Sequence, residues 1–186
     1  MGHIAILSAS VRNGRASHRV ALYLQRRIAE HAHHTADLID LREHDFPIFH
    51  ERLKFMDDPA PDVVAFADRV RQADGVIIVT PEYNGGMPAA LKNVVDLLTQ
   101  DWRGKPIALA PVSDGAFGGT QVVTQLLFNL WKIRAWVVPG AMQVPTVKDQ
   151  FQEDGTPEDD KAWARRSDAL LEGLTWAMEA TARMKA

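Results

Sequence analysis

The chain has 186 residues, of which 46% are hydrophobic and 24% charged, and its 21 basic and 24 acidic side chains give a net charge of −3. This composition is typical of a soluble globular protein and the length suits one core, so we expect a single domain over residues 1–186. Near-neutral charge argues against a nucleic-acid partner, and the lack of cysteine excludes disulfides, thiolate metal sites and a cysteine nucleophile. No apolar run is long enough to cross a bilayer and no secretory signal is evident, which predicts a cytoplasmic protein without a membrane partner.

Five short apolar runs predict β-strands at residues 4–7, 36–41, 75–80, 106–112 and 135–139. Continuous apolar runs of this length suit strands that are buried on both faces, as in a parallel sheet. Segments with helical spacing alternate with them. We expect these helices to begin near Ser17, Pro61, Pro88, Gly118-Gly119 and Asp159. In the last helix we expect the inward positions to be Ala162, Leu170, Leu174 and Met178, and we interpret residues 46–61 and 147–157 as loops.

Strands that alternate with helices predict a doubly wound α/β fold with helices on both faces of one parallel sheet. Ligands of such sheets bind beyond the carboxyl ends of the strands, where the strand order reverses. The loops after the first, third and fourth strands are therefore the candidate binding loops.

The first of these loops, residues 8–18, has the composition of a phosphate site. Ser10, Arg12 and Ser17 supply hydrogen-bond donors just before a helix, whose free N–H groups and positive end also favour an anion. The glycine spacing matches neither a dinucleotide loop nor a nucleoside-triphosphate loop, so a phosphomonoester such as that of a mononucleotide fits better. The alternative is a polar loop that merely caps the helix.

The other two loops suit a flat heterocycle. Residues 80–88 run Thr-Pro-Glu-Tyr-Asn-Gly-Gly-Met-Pro, in which the prolines stiffen the ends and the glycines allow positive φ. Residues 113–119 contain a hydroxyl and three glycines before a helix, which lets the backbone approach a ligand. Each loop alone is equally compatible with an ordinary β–α turn, whereas three of them at one edge of a sheet indicate a site.

These motifs together resemble the NAD(P)H-dependent FMN reductases, a flavodoxin-like family with quinone-, azo-dye- and chromate-reducing members. The resemblance runs from about residue 4 to residue 145 and rests on Ser-Val-Arg at 10–12 with Ser17, on Pro-Glu-Tyr-Asn at 81–84 and Leu-Lys-Asn at 91–93, and on Ser113, Gly115, Gly118 and Gly119. It implies a three-layer α/β/α sandwich with a five-stranded parallel sheet in the order 2-1-3-4-5. It also implies that the FMN phosphate is held by Ser10, Arg12 and Ser17, that the isoalloxazine edge is lined by Pro81, Glu82, Tyr83, Asn84 and Gly85, and that the site is closed by Ser113 and Gly115.

The chain departs from the family pattern at some positions. Ala9 replaces a common glycine, and we expect the turn to survive the change. Arg15 lies where many members have a small polar residue, which would alter phosphate affinity or offer a further cation to the nicotinamide cofactor.

With no cysteine and no evident acid–base pair or metal cluster, the redox step is best assigned to the flavin, and we predict neither a catalytic side chain nor a metal ligand. The implied activity is hydride transfer from NAD(P)H to FMN and on to a small acceptor, namely FMN, a quinone, an azo compound or a metal oxyanion, by ping-pong turnover. The alternative is a flavodoxin-type electron carrier without enzymatic activity. The histidines that could suggest a metal site or a catalyst have simpler interpretations. The histidines His31, His33 and His34 suit a helix C-terminus better than a metal site, and His18 suits a position beside the phosphate better than a catalytic role.

The resemblance also implies a homodimer or homotetramer in which a neighbouring subunit covers the flavin. We expect apolar interface residues among Leu97, Leu98, Leu127 and Trp131, with Trp102 or Trp136 as further candidates.

Overall fold

A computed structural model describes residues 2–30 and 34–185. Its five parallel strands are β1 (Gly2–Ser8), β2 (His34–Asp40), β3 (Gly75–Pro81), β4 (Pro106–Val112) and β5 (Trp136–Ala141), in the order β2-β1-β3-β4-β5. The predicted fold class and strand order are confirmed. β3 and β4 are buried along their whole length, as continuous apolar runs predict, whereas the edge strands β2 and β5 are only partly buried.

Helices cover both faces of the sheet. They are α1 (Ser17–Glu30), α2 (Pro61–Gln72), α3 (Ala89–Leu98), α4 (Thr120–Lys132), the short α5 (Val147–Gln150) and α6 (Asp160–Lys185). Successive strand residues point to opposite faces, so Ile4 and Ile6 pack with α1 and α6, while Ala5 and Leu7 pack with α2, α3 and α4. This alternation produces two apolar cores separated by the sheet. Because all five strands are parallel, their carboxyl ends lie at a common edge.

Several local predictions were wrong. The loop expected at residues 147–157 begins with α5, and a short 3-10 turn, Leu53–Phe55, interrupts the one expected at residues 46–61. Ala162 is exposed and its neighbour Trp163 is buried instead, because Trp163 lies four and seven residues before the buried Ser167 and Leu170 and so on the same face of α6. Among the candidate interface residues, three are buried within this chain's own core and are unavailable to a partner, namely Leu97, Leu98 and Trp102.

Other features bear on the remaining predictions. His31 and His33 lie outside the described residues, whereas His34 begins β2 and its ring contacts the Thr175 hydroxyl at 2.9 Å. None of the helices in the described ranges combines the length and apolarity needed to cross a membrane.

Candidate functional site

The loops that follow β1, β3 and β4 meet in one cleft at the carboxyl edge of the sheet. Of the predicted site residues, the cleft is lined by Ser10, Arg12, Ser17, Pro81, Glu82, Tyr83 and Ser113. Asn84, Gly85 and Gly115 belong to the same loops but do not line the cleft. The convergence follows from the topology, because β1, β3 and β4 are successive neighbours in the sheet.

The start of α1 lines the cleft. Ser17, the first residue of α1, is 3% exposed, and its Oγ is buried without a hydrogen-bond partner among the described residues. A buried hydroxyl without a partner is energetically unfavourable, and the first N–H groups of a helix also lack intrahelical acceptors. Both features call for an acceptor in the cleft, which a phosphate oxygen would supply.

A direct contact joins the loops that follow β1 and β3 across the cleft. Ser10 is fully buried, and its Oγ lies 2.7 Å from the Tyr83 hydroxyl. Tyr83 also pairs with Gly86 through two backbone hydrogen bonds around Asn84 and Gly85, which both have positive φ. Positive φ at both central positions is typical of a type I′ turn and favours the Asn-Gly sequence found here. The turn fixes the backbone of Tyr83, whose hydroxyl lies beside Ser10.

Ala9 confirms the expectation that the first turn survives without glycine. Its N–H donates to the Val79 carbonyl at 3.0 Å, and the residue is fully buried at the end of β1. The methyl group is therefore accommodated in the core rather than in the cleft.

Arg15 lines the cleft but is not a free cation. Its guanidinium forms a two-pronged ion pair with Asp40 at the end of β2 and donates to the Ser10 carbonyl at 2.7 Å. The two side chains are only 11% and 7% exposed. Burial acts to raise the pKa of Asp40, but hydrogen bonds from Arg15 and from the Arg42 backbone outweigh it, so the pKa lies below its usual value. The expectation that Arg15 offers an extra cation to the cofactors was therefore wrong, because Asp40 neutralises it.

His18 stands behind the phosphate loop. Its Nδ1 lies 3.0 Å from the Ser8 hydroxyl and 3.7 Å from the Asp40 carboxylate. Burial and the nearby Arg15 charge lower the pKa of His18, so the imidazole is neutral near pH 7. The ring supports the loop from the side of β2.

Glu82 connects the loop that follows β3 to α4. Its carboxylate accepts hydrogen bonds from the backbone N–H groups of Gln121 at 2.8 Å and Val122 at 3.1 Å. These groups lie in the first turn of α4, where a negative charge is favoured by the helix dipole. A second link runs from the Met87 N–H to the Gln125 side chain at 2.7 Å. The Glu82 carboxylate thus caps a helix, a role that the sequence analysis did not anticipate.

The loop that follows β4 is closed by the segment that leads into α5. Ser113 donates through its Oγ to the Gly115 carbonyl at 2.7 Å, which shapes the loop locally. Backbone hydrogen bonds from Thr146 to Gly115 and from Val147 to Ser113, both 3.1 Å, then attach α5 to it. As a result Asp114 and Lys148 also line the cleft, although neither was predicted there. Lys148 follows the fifth strand, whose loop the sequence analysis had not considered as part of the site.

A family model described as NADPH-dependent FMN reductase matches residues 3–149 of the chain. An NAD(P)H-dependent FMN reductase of Saccharomyces cerevisiae is 31% identical over 170 residues, which cover 83% of this chain and 87% of the relative. A quinone reductase of Pseudomonas putida is 33% identical over 121 residues, or 62% of each chain. The family match spans all three loops of the cleft.

The solved structures agree on the fold. The flavoenzyme NAD(P)H:(acceptor) oxidoreductase of Paracoccus denitrificans superposes with a TM-score of 0.78 over 96% of this chain and 98% of its own, at 23% identity. At that identity the similarity extends to the architecture alone.

Proposed function

This chain belongs to the NADPH-dependent FMN reductase family, and we propose that it binds FMN in the cleft and transfers electrons from NAD(P)H to a small acceptor. The observation that carries the proposal is the convergence of three loops on one cleft whose floor holds the buried, unpartnered Ser17 hydroxyl. We also propose that residues 1–186 act as one FMN-binding domain, since both cores share the sheet that forms the cleft.

The residues present fit a phosphomonoester. Ser17, the first N–H groups of α1 and the exposed Arg12 would hold the phosphate, with Ser10 reaching it when its hydroxyl turns from Tyr83. The backbone from Pro81 to Gly85 would run beside the ring, and the loop containing Ser113 and Gly115 would close the opposite side. The preformed turn between Tyr83 and Gly86 limits the reorganisation that binding requires.

When bound, FMN would supply the redox chemistry, accepting hydride from the nicotinamide and passing electrons to a second small molecule in a ping-pong sequence. The protein would orient the ring and place backbone donors where negative charge develops. We assign no side chain as general acid or base. We propose flavins, quinones and azo compounds as acceptors, because an open cleft imposes little selection among flat molecules, and metal oxyanions because the family resemblance includes chromate-reducing members.

We propose that a second copy of this chain packs against α4, giving a homodimer or homotetramer. Leu127, Phe128 and Trp131 are 44%, 64% and 69% exposed, and with Trp136 they line an apolar groove. Exposed aromatic clusters of this kind mark interfaces. Light scattering of the wild type and of Trp131→Glu tests the assembly, with a monomeric wild type contradicting it.

The decisive experiment is a titration with FMN followed by steady-state turnover. We expect a yellow complex with absorption near ~450 nm, and oxidation of NADH or NADPH in the presence of FMN, a benzoquinone or an azo dye. Binding without turnover would indicate an electron carrier. A colourless protein that is indifferent to FMN would refute the proposal.

A further inference from the structure

We propose that Lys148 is the second cation of the phosphate site, and that it exchanges its ion pair with Asp114 for the phosphate when FMN binds. This inference rests on the proposed function, because it concerns the same cleft. It assigns a ligand from α5, a segment that lies outside the three loops that follow β1, β3 and β4.

The charge balance of the cleft requires such a residue. A phosphomonoester carries a charge of about −1.5 to −2 near pH 7. Arg12, Arg15 and Lys148 are the cationic side chains that line the cleft. The Arg15 charge is already neutralised by Asp40, with which it forms a largely buried pair. Arg12 alone would leave about 0.5 to 1 negative charge unbalanced, and the Asp114 carboxylate adds to it, so a second cation is favoured that Lys148 can supply.

The backbone of α5 is held firmly enough to present Lys148 at a fixed place. Val147 donates to the Ser113 carbonyl, and Phe151, fully buried beyond α5, packs its ring against Tyr23 of α1. Arg19 of α1 donates to the Phe151 carbonyl at 2.7 Å. The contacts of Phe151 with Tyr23 and Arg19 bring α5 beside the start of α1, where the Ser17 hydroxyl is buried.

The present partner of Lys148 is easily displaced. The Lys148 Nζ lies 3.2 Å from an Asp114 carboxylate oxygen, and the two side chains are 58% and 63% exposed. Exposed pairs of this kind contribute little stability because water screens both charges. Asp114 itself lines the cleft, so its negative charge opposes an incoming phosphate and also competes with the phosphate for Lys148. Asp114 should therefore weaken FMN binding, whereas Lys148 should strengthen it.

The test compares the dissociation constants of FMN and riboflavin, which differ only in the phosphate. Lys148→Gln should raise the Kd for FMN about tenfold, the scale of one charge-assisted hydrogen bond, and leave that for riboflavin unchanged. Asp114→Asn should lower the Kd for FMN and also spare riboflavin. The matched control is Lys132→Gln, which removes the same charge from the last turn of α4 and should change neither constant. Higher ionic strength should reduce the difference between the wild type and Lys148→Gln.

The outcomes separate the inference from the proposed function. If the wild type binds FMN and Lys148→Gln binds it as tightly as Lys132→Gln does, the inference is wrong and the proposed function stands. An equal loss of FMN and riboflavin in Lys148→Gln would also overturn it, since the residue would then act through the fold. If the wild type binds neither flavin, the proposed function itself fails.

Discussion

The ion pair between Arg15 and Asp40 yields the sharpest prediction about stability. Replacing Arg15 with Met leaves a carboxylate that is 7% exposed without its principal partner. Within residues 2–30 and 34–185, only the Arg42 backbone N–H, at 3.0 Å, remains as a hydrogen-bond donor to Asp40, and the Ser10 carbonyl loses a donor as well. Removing one member of a buried pair costs about 3–5 kcal/mol, because the surviving charge is stranded. We expect Arg15→Met to lower the free energy of unfolding by that amount.

Urea unfolding of the flavin-free protein measures the effect. With an m-value of about 3 kcal/mol per molar urea, the midpoint should fall by about 1 M or more. Arg12→Met is the matched control, because this neighbouring arginine is exposed and makes no side-chain hydrogen bond or ion pair in the part of the chain that the structure describes. Its effect on stability should stay within about 0.5 kcal/mol. Arg12→Met should nevertheless weaken FMN binding, because Arg12 is proposed to hold the phosphate.

A second substitution and the pH dependence check the physical cause. Adding Asp40→Asn to Arg15→Met removes the stranded charge and should recover part of the lost stability. The pKa of Asp40 is below its usual value in the folded protein, so the ion pair stabilises the fold above about pH 4 and ceases to do so as the pH falls through the folded pKa. The difference between the wild type and Arg15→Met should therefore shrink in acid. Equal losses in Arg15→Met and Arg12→Met, or a double variant less stable than Arg15→Met, would refute the reasoning.

Three further predictions follow from neighbouring contacts. Glu82→Ala should lower the free energy of unfolding, measured by urea unfolding, by about 1–2 kcal/mol, because two N–H groups of α4 lose their acceptor. Glu82→Gln should lower it by less, and an unchanged free energy in Glu82→Ala would contradict the capping role. Hydrogen bonds from Arg69 hold the pKa of Asp37 below its usual value, so this pair stabilises the fold above about pH 4 and is lost in acid; Asp37→Asn should flatten the acid limb of a stability profile, and an unchanged limb would exclude the pair as its source. Burial lowers the pKa of His18, so the unfolded chain binds its proton more readily and stability should rise with pH up to about 6.5; His18→Asn should lose that rise between about pH 5 and 7.

The elements of the fold were predictable because their signals are local. β4 was expected at residues 106–112 and is observed as Pro106–Val112, since a continuous apolar run between polar turns admits few other strand limits. α2 begins at Pro61 as expected, because proline suits the first turn of a helix. α5 escaped prediction because it consists of one turn whose position depends on backbone hydrogen bonds to Ser113 and Gly115, more than 30 residues earlier in the chain.

The roles of charged residues in the site were harder to predict than their location. Glu82 was expected beside the ring and does line the cleft, but the capping contact of its carboxylate with α4 was not foreseen, because it joins residues 39 positions apart. Lys148 was missed because it follows the fifth strand, whose loop was not among the candidate binding loops. Asp114 was missed, although it lies in the loop after β4, because a carboxylate is not a residue type that predicts anion binding. Residue type shows that a side chain can bind an anion, but the tertiary structure determines whether another group already occupies it.

Arg12 and Arg15 show this difference between an available and an occupied side chain. Both are arginines of one loop, three positions apart, and composition alone treats them as equal ligands for a phosphate. The predicted strand order already indicated that one of them would meet a carboxylate. In a sheet of order 2-1-3-4-5 the end of β2 lies beside the end of β1, and Ser8 is in register with Asp40. A carboxylate at that level, next to a loop with two arginines, will pair with whichever one the helix start directs towards β2. Cations should therefore be counted as phosphate ligands only after the acidic residues at the ends of neighbouring strands have been matched with their partners.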